Sequence, residues 1–109
     1  MLFGGGKSKM IELGGNIELD GFKEVDGGSM IILKKMVGKY VKKMNTISSK
    51  FEKLTLTMKE VHKSKDSGRF EMHAKVLNNG KVLVSETTDN NLFVALDKVL
   101  GSVMNQINK

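Results

Sequence analysis

The stretch Ser29–Met44, SMIILKKMVGKYVKKM, decides how the rest of the chain must fold. With successive residues about 100° apart around a helix axis, Leu33, Met36, Val37, Tyr40, Val41 and Met44 share one broad apolar arc. Lys35, Lys39, Lys42 and Lys43 gather on another arc. The apolar arc demands a partner layer, and the lysine arc demands water or an anion. From Ser29 to Lys50 there are six lysines and no acid, so this segment alone carries the +6 net charge of the whole protein.

The segments around it set the order of elements. Before the helix, Met10–Leu19 (MIELGGNIEL) alternates apolar residues about a Gly14-Gly15 break and predicts a first strand with a bulge or tight bend. Asp20–Gly28 (DGFKEVDGG) gathers glycines and acids and predicts a loop, with Ser29 as the N-cap of the first helix. That helix is expected to end near Asn45 or Thr46, where the apolar period stops.

From Phe51 the period changes to two, with Leu54, Leu56 and Met58 on one face and Thr55, Thr57 and Lys59 on the other. His62–Gly68 (HKSKDSG) predicts a polar loop, and Phe70, Met72, Ala74 and Val76 then alternate with Glu71, His73 and Lys75. Asn78, Asn79 and Gly80 predict a tight hairpin turn into a strand over Lys81–Thr87. Asp89 and Asn90 offer caps for a last helix that buries Leu92, Leu96, Val99, Leu100, Val103 and Ile107.

The expected architecture is therefore α+β with the order β-α-β-β-β-α. Two helices pack on one face of a four-stranded, mostly antiparallel sheet, whose other face carries Thr55, Thr57, Glu71, His73 and Lys75 into water. The order is similar to that of double-stranded RNA-binding domains. The 109 residues suffice for one domain, expected over residues 10–109 behind a flexible glycine-rich tail of residues 1–9. In that tail, Gly6-Lys7-Ser8 matches the end of a phosphate-loop motif. The glycine that the motif needs five residues earlier is replaced by Met1, so the match is coincidental.

Composition narrows the function classes. With no cysteine and two histidines, thiolate metal sites and disulfides are excluded, and no cofactor is expected. No run reaches the length of a membrane span and no signal-type apolar core opens the chain, so a soluble, cytoplasmic protein is expected. His62 and His73 have no serine, cysteine or carboxylate at a motif spacing, so an enzyme with a small-molecule substrate is not expected. Met36, Met44, Met58 and Met72 fall on core faces and read as core filling.

The basic pI near 9.6 has a local origin. Residues 1–28 carry −2, residues 51–68 carry +1 and residues 69–109 carry +1. Clustered lysines of this kind mark a polyanion-binding face, with a merely solvated lysine face as the plain alternative. Lys35, Lys39, Lys42 and Lys43 are the leading RNA-contact candidates, since lysine is a mobile point charge suited to phosphates. Lys34 lies nearer the apolar arc, where its stem can snorkel. Lys63, Lys65 and Arg69, on or beside the long polar loop, are lesser candidates, and Lys98 is the basic residue within the last helix.

Several strings resemble the ribosome hibernation promoting factor family, also called ribosome-associated translation inhibitor A. Gly14-Gly15-Asn16-Ile17-Glu18-Leu19 is similar to the family's first-strand Gly-x-Asn-Ile-Glu-Leu. Asn91–Asp97 (NLFVALD) is similar to its Asp-Met-Tyr-Ala-Ala-Ile-Asp at the start of the last helix, and FEMHAKVLNNGKVLVSETTDN places a hairpin before that helix as the family does. The likeness covers about residues 10–109. It implies binding of rRNA in the small ribosomal subunit between head and body, where messenger and transfer RNA are blocked under stress, through basic residues of the two helices. Lys43 and Lys34 match basic positions of the family. The chain departs from the family at the inserted loop Asp20–Gly28, at Tyr40 in a common lysine position, and in the last helix, where a Lys-Leu-x-Arg-Gln type run is usual and Ser102, Val103, Asn105 and Gln106 stand in those places, only the glutamine being kept. A general structured-RNA module and a non-enzymatic protein-interaction domain are the alternatives, and the sequence is silent on oligomeric state.

Overall fold

A computed structural model describes residues 11–12, 16–64 and 67–108, with side chains over residues 16–60 and 68–108. The expected tail over residues 1–9, the Gly14-Gly15 break and Lys65 lie outside the described residues. The elements are β1 (Ile11–Glu12), β2 (Ile17–Asp20), α1 (Gly27–Ile47), β3 (Phe51–Ser64), β4 (Ser67–Asn78), β5 (Lys81–Asp89) and α2 (Leu92–Ile107). The strands form one sheet in the order β1-β2-β3-β4-β5. The α+β class and the order β-α-β-β-β-α stand, with the two-residue β1 added in front. β2 and β3 are parallel neighbours, as a helical crossover between them permits, and every other pair is antiparallel.

The first strand, predicted over Met10–Leu19 with a bulge or tight bend, is two paired strands. Ile11 registers with Leu19 and Glu12 with Glu18, so the chain reverses between β1 and β2 rather than bending within one strand. Of the polar loop predicted from His62, residues 62–64 and 67–68 are strand. β3 continues to Ser64 and β4 resumes at Ser67, with Ser64 opposite Ser67 and one irregularity between His62 and Ser64. Main-chain pairing needs no apolar alternation, so a polar sequence can extend a ladder already registered by Leu54, Leu56 and Met58.

One core joins the two layers. The inner sheet face supplies Ile17, Leu19, Leu54, Leu56, Met58, Met72, Ala74 and Val76, α1 supplies Leu33, Val37, Val41 and Met44, and α2 supplies Ala95, Leu96, Val99, Leu100 and Val103. Met36, Tyr40, Leu92 and Ile107 are half-buried at its margin. Fully burying a side chain of this size contributes about 1.5–3 kcal/mol, so the apolar arc of α1 is committed to the core.

The segment between β2 and α1 contributes more than a connection. Phe22 is 1% exposed and packs into the core, and Val25 packs beside it. Gly21 makes this entry possible: its φ is +89°, and a Cβ there would overlap the carbonyl oxygen of Met58 on β3. Only a residue without a side chain lets the chain turn this close to the strand.

Both helices begin on side-chain caps, one or more residues away from the predicted ones. Asp26, not Ser29, caps α1: its Oδ2 accepts from the Ser29 backbone N–H at 3.0 Å. The helix can start at Gly27 because its first residues have no intrahelical donor bonds to lose. At the other end it runs past Asn45 and Thr46 to Ile47. Asn45 Nδ2 and Thr46 Oγ1 donate back to the carbonyls of Val41 and Lys42 at 3.2 and 2.9 Å, which accommodates these polar residues within the last turn. Asn91, one residue beyond the expected Asp89 or Asn90, caps α2 by accepting from the N–H groups of Phe93 and Val94 at 2.9 and 3.1 Å.

The turn after β4 is as predicted. Asn79 and Gly80 have φ of 56° and 75°, and Asn78 registers with Lys81, which is a two-residue hairpin of the type matched to strand twist. No helix among the described residues is long and apolar enough to cross a membrane.

Candidate nucleic-acid interface

Lys34, Lys35, Lys39, Lys42 and Lys43 are all exposed on α1. The burial of Leu33, Val37, Val41 and Met44 fixes the rotation of the helix, and the lysines follow from it by period. From Lys34 to Lys43 the row spans about 13 Å along the axis at about 1.5 Å per residue. Among the described residues none of the five has a carboxylate within ion-pair reach; the lysine bridges run instead from Lys53 to Glu18 at 2.8 Å and from Lys98 to Asp89 at 3.1 Å. Lys34, with a stem expected to snorkel beside the core, is exposed like the others.

A second contact holds the helix. Tyr40 OH donates to Asp97 Oδ1 of α2 at 2.5 Å, and the Lys43 ammonium stands 6.0 Å from the centre of the Tyr40 ring. Burial first, and then the Asp97 carboxylate, push the Tyr40 hydroxyl up to about 12 from the ordinary 10.0. Gly101 of α2 faces this hydroxyl, where a Cβ would meet it at an ordinary 3.8 Å. The tyrosine thus ties α1 to α2 beside the lysine row. Residue types alone gave no sign of this pairing, since its partners are 57 positions apart.

The remaining candidates do not join the row. Lys98 is on α2 and is held by Asp89, whose carboxyl lies below the ordinary aspartate range because the Asn91 N–H and then Lys98 favour its charged form. Arg69 is exposed on β4 opposite Val61. Lys63 lies in β3 rather than in a loop, and its side chain is outside the described set, as is all of Lys65. The outward side of α2 offers Val94, Asp97, Lys98, Ser102 and Asn105, so the two-helix layer is basic on α1 alone.

The open sheet face forms a shallow trough of about 800 Å³ lined by Thr55, Thr57, Glu71, His73, Lys75 and Val84 among others. His73 faces solvent as expected, but the fold surrounds it with carboxylates. Its Nδ1 is 3.2 Å from Glu86 Oε1 and its Nε2 4.0 Å from Glu71 Oε2, an arrangement produced by the register of β4 and β5. Thr57 lies opposite His73 on β3. Among the described residues no cluster of three His, Cys, Asp or Glu has metal-binding geometry.

Two features of α1 were not singled out by residue type. Ile31 and Ile32 are 60% and 51% exposed beside the lysines, and Gly38 opens a gap in the middle of the basic face. Both were visible in the spacing, but only burial shows that the core does not use them. No protein-family model matches the chain, and no curated protein is significantly similar to it.

Proposed function

We propose that this protein is a non-enzymatic translation regulator that binds the small ribosomal subunit in the cytoplasm through contacts of α1 with the rRNA backbone. The observation that carries the reading is the row of exposed lysines on one helix without a carboxylate partner, on a helix whose rotation the core has fixed. Unpaired, rigidly presented ammonium groups bind phosphates without reading bases. The likeness of Asn16–Leu19 and Asn91–Asp97 to the hibernation factor strings supports the ribosome as the source of those phosphates, in the stress-linked role that the family implies.

Neutralising three or four phosphates predicts an affinity that falls by tens of fold between about 50 and 200 mM salt, at a slope of about −0.7 to −0.9 per phosphate. The direct test is co-sedimentation with purified small subunits of the native protein and of a variant carrying Lys35, Lys39, Lys42 and Lys43 changed to Glu. Loss of co-sedimentation by the variant is expected, and equal co-sedimentation refutes the reading.

A general structured-RNA module is the second reading, favoured by an outward side of α2 whose one basic residue, Lys98, is paired with Asp89. It predicts that naked duplex RNA binds as tightly as ribosomal subunits do.

A further inference from the structure

Most glycines within the described elements have a reason in the fold. Gly21 passes against the backbone of Met58, Gly80 takes φ of +75° in the hairpin turn, and Gly101 faces Tyr40. Gly27 and Gly28 occupy the first turn of α1, where helix propensity matters least. Gly38 has no such reason. It lies in the interior of α1, it is exposed, and a Cβ added to it would meet nothing within 4 Å. Glycine there weakens the helix relative to alanine, and no packing within the molecule offsets the loss.

What surrounds the gap is specific. Residues three and four apart are neighbours on a helix surface, and those of Gly38 are Lys34, Lys35, Lys42 and the buried Val41. Ile31, two turns before Gly38, is on the same side and 60% exposed. The basic face therefore has a notch with lysines before and after it and an apolar side chain at one end.

We propose that Gly38 is the point where an RNA sugar-phosphate backbone comes closest to α1, with Lys34, Lys35 and Lys42 closing on its phosphates. The inference rests on the reading of α1 as an RNA-binding helix and adds where the strand crosses it. Without a side chain at position 38 the backbone lies nearer the helix, so lysines on both sides of the notch reach phosphates together. Ile31 meets the carbon face of a ribose. Any side chain at position 38 holds the strand away and lengthens these contacts.

The test uses Gly38→Ala and Gly38→Gln in the full chain, both of which leave the net charge unchanged. Replacing an exposed helical glycine by a good helix former is expected to raise Tm by about 2–6 °C. Binding to purified small subunits and to a labelled duplex RNA is expected to weaken, by about tenfold for Gly38→Gln, equivalent to losing one charge-assisted phosphate contact. The slope of log affinity against log salt is expected to become shallower by about one. If Gly38→Gln binds like the native protein while the fourfold lysine-to-glutamate variant does not bind, the notch is refuted and the RNA-binding helix stands. If that lysine variant still binds, both are refuted. A lower Tm for Gly38→Ala would show that the fold itself requires the glycine, and that too overturns the proposal.

Discussion

Gly21→Ala tests the way in which the segment before α1 is fastened to the sheet. Two costs add at this position. A positive φ of the left-handed kind disfavours a side chain by about 1–2 kcal/mol. The new Cβ must also clear the Met58 carbonyl, whose carbon is 3.2 Å away and whose oxygen it overlaps. Neither side of the contact is a flexible side chain, since Met58 belongs to β3 between β2 and β4. Relief comes only by moving the turn outward, which withdraws Phe22 from the core, and overpacking of this kind costs about 1–3 kcal/mol.

The sum is about 2–5 kcal/mol, against a total stability of about 5–15 kcal/mol for a domain of this size. Gly80→Ala is the internal control. It too has positive φ, but a Cβ there meets nothing within 4 Å, so only the conformational cost of about 1 kcal/mol applies. Urea unfolding followed by far-ultraviolet circular dichroism reads both variants. With a slope of about 1–3 kcal/mol per molar urea, Gly21→Ala should lower the midpoint by about 1 M or more, and clearly further than Gly80→Ala. Equal shifts for the two variants would refute the close approach of Gly21 to β3.

Two pH effects follow from named contacts. Because folding raises the Tyr40 hydroxyl to about 12, its contribution to stability is complete below about 10 and is lost as pH rises from there toward about 12. Tyr40→Phe should therefore abolish much of the alkaline fall in Tm, and an unchanged alkaline fall would exclude the Tyr40–Asp97 bond as its source. At the acid end, the backbone hydrogen bond from Ser29 is the main cause that lowers the Asp26 carboxyl below its ordinary 3.8, so its stabilisation is present above that value and is lost as pH falls through and below it. Asp26→Asn retains a capping side chain without the charge and should flatten the acid limb of urea midpoint against pH, leaving the part due to Asp89; an identical limb would show that the cap carries no charge-dependent stability.

Periodicity was a reliable guide where one layer faces another. The change from a period near four in Ser29–Met44 to a period of two after Phe51 located α1 and β3, and Asn79-Gly80 located the hairpin, because each pattern reports a local geometry. It failed where pairing or burial is non-local. Phe22 stands among acids and glycines with no apolar residue two positions to either side, and only the Gly21 turn delivers it to the core. The β1–β2 reversal and the extension of β3 and β4 through a polar stretch depend on main-chain partners, which side-chain type does not encode. Cap positions shifted because several residues near each helix start are competent caps, and packing selects among them.

For the candidate interface the division is similar. The presence of a lysine arc opposite an apolar arc is a property of the sequence alone, since helical period and charge determine it. Which lysines remain free depends on the tertiary structure: Lys98 meets Asp89, while the α1 lysines find no acid close enough to pair with. So does the rigidity of the row, because the core rotates α1 and the Tyr40–Asp97 bond fastens it to α2. The physical reason is range. Propensity and amphipathic pattern act within a few turns of chain, whereas charge neutralisation and the fit of a glycine depend on atoms that only the fold brings near.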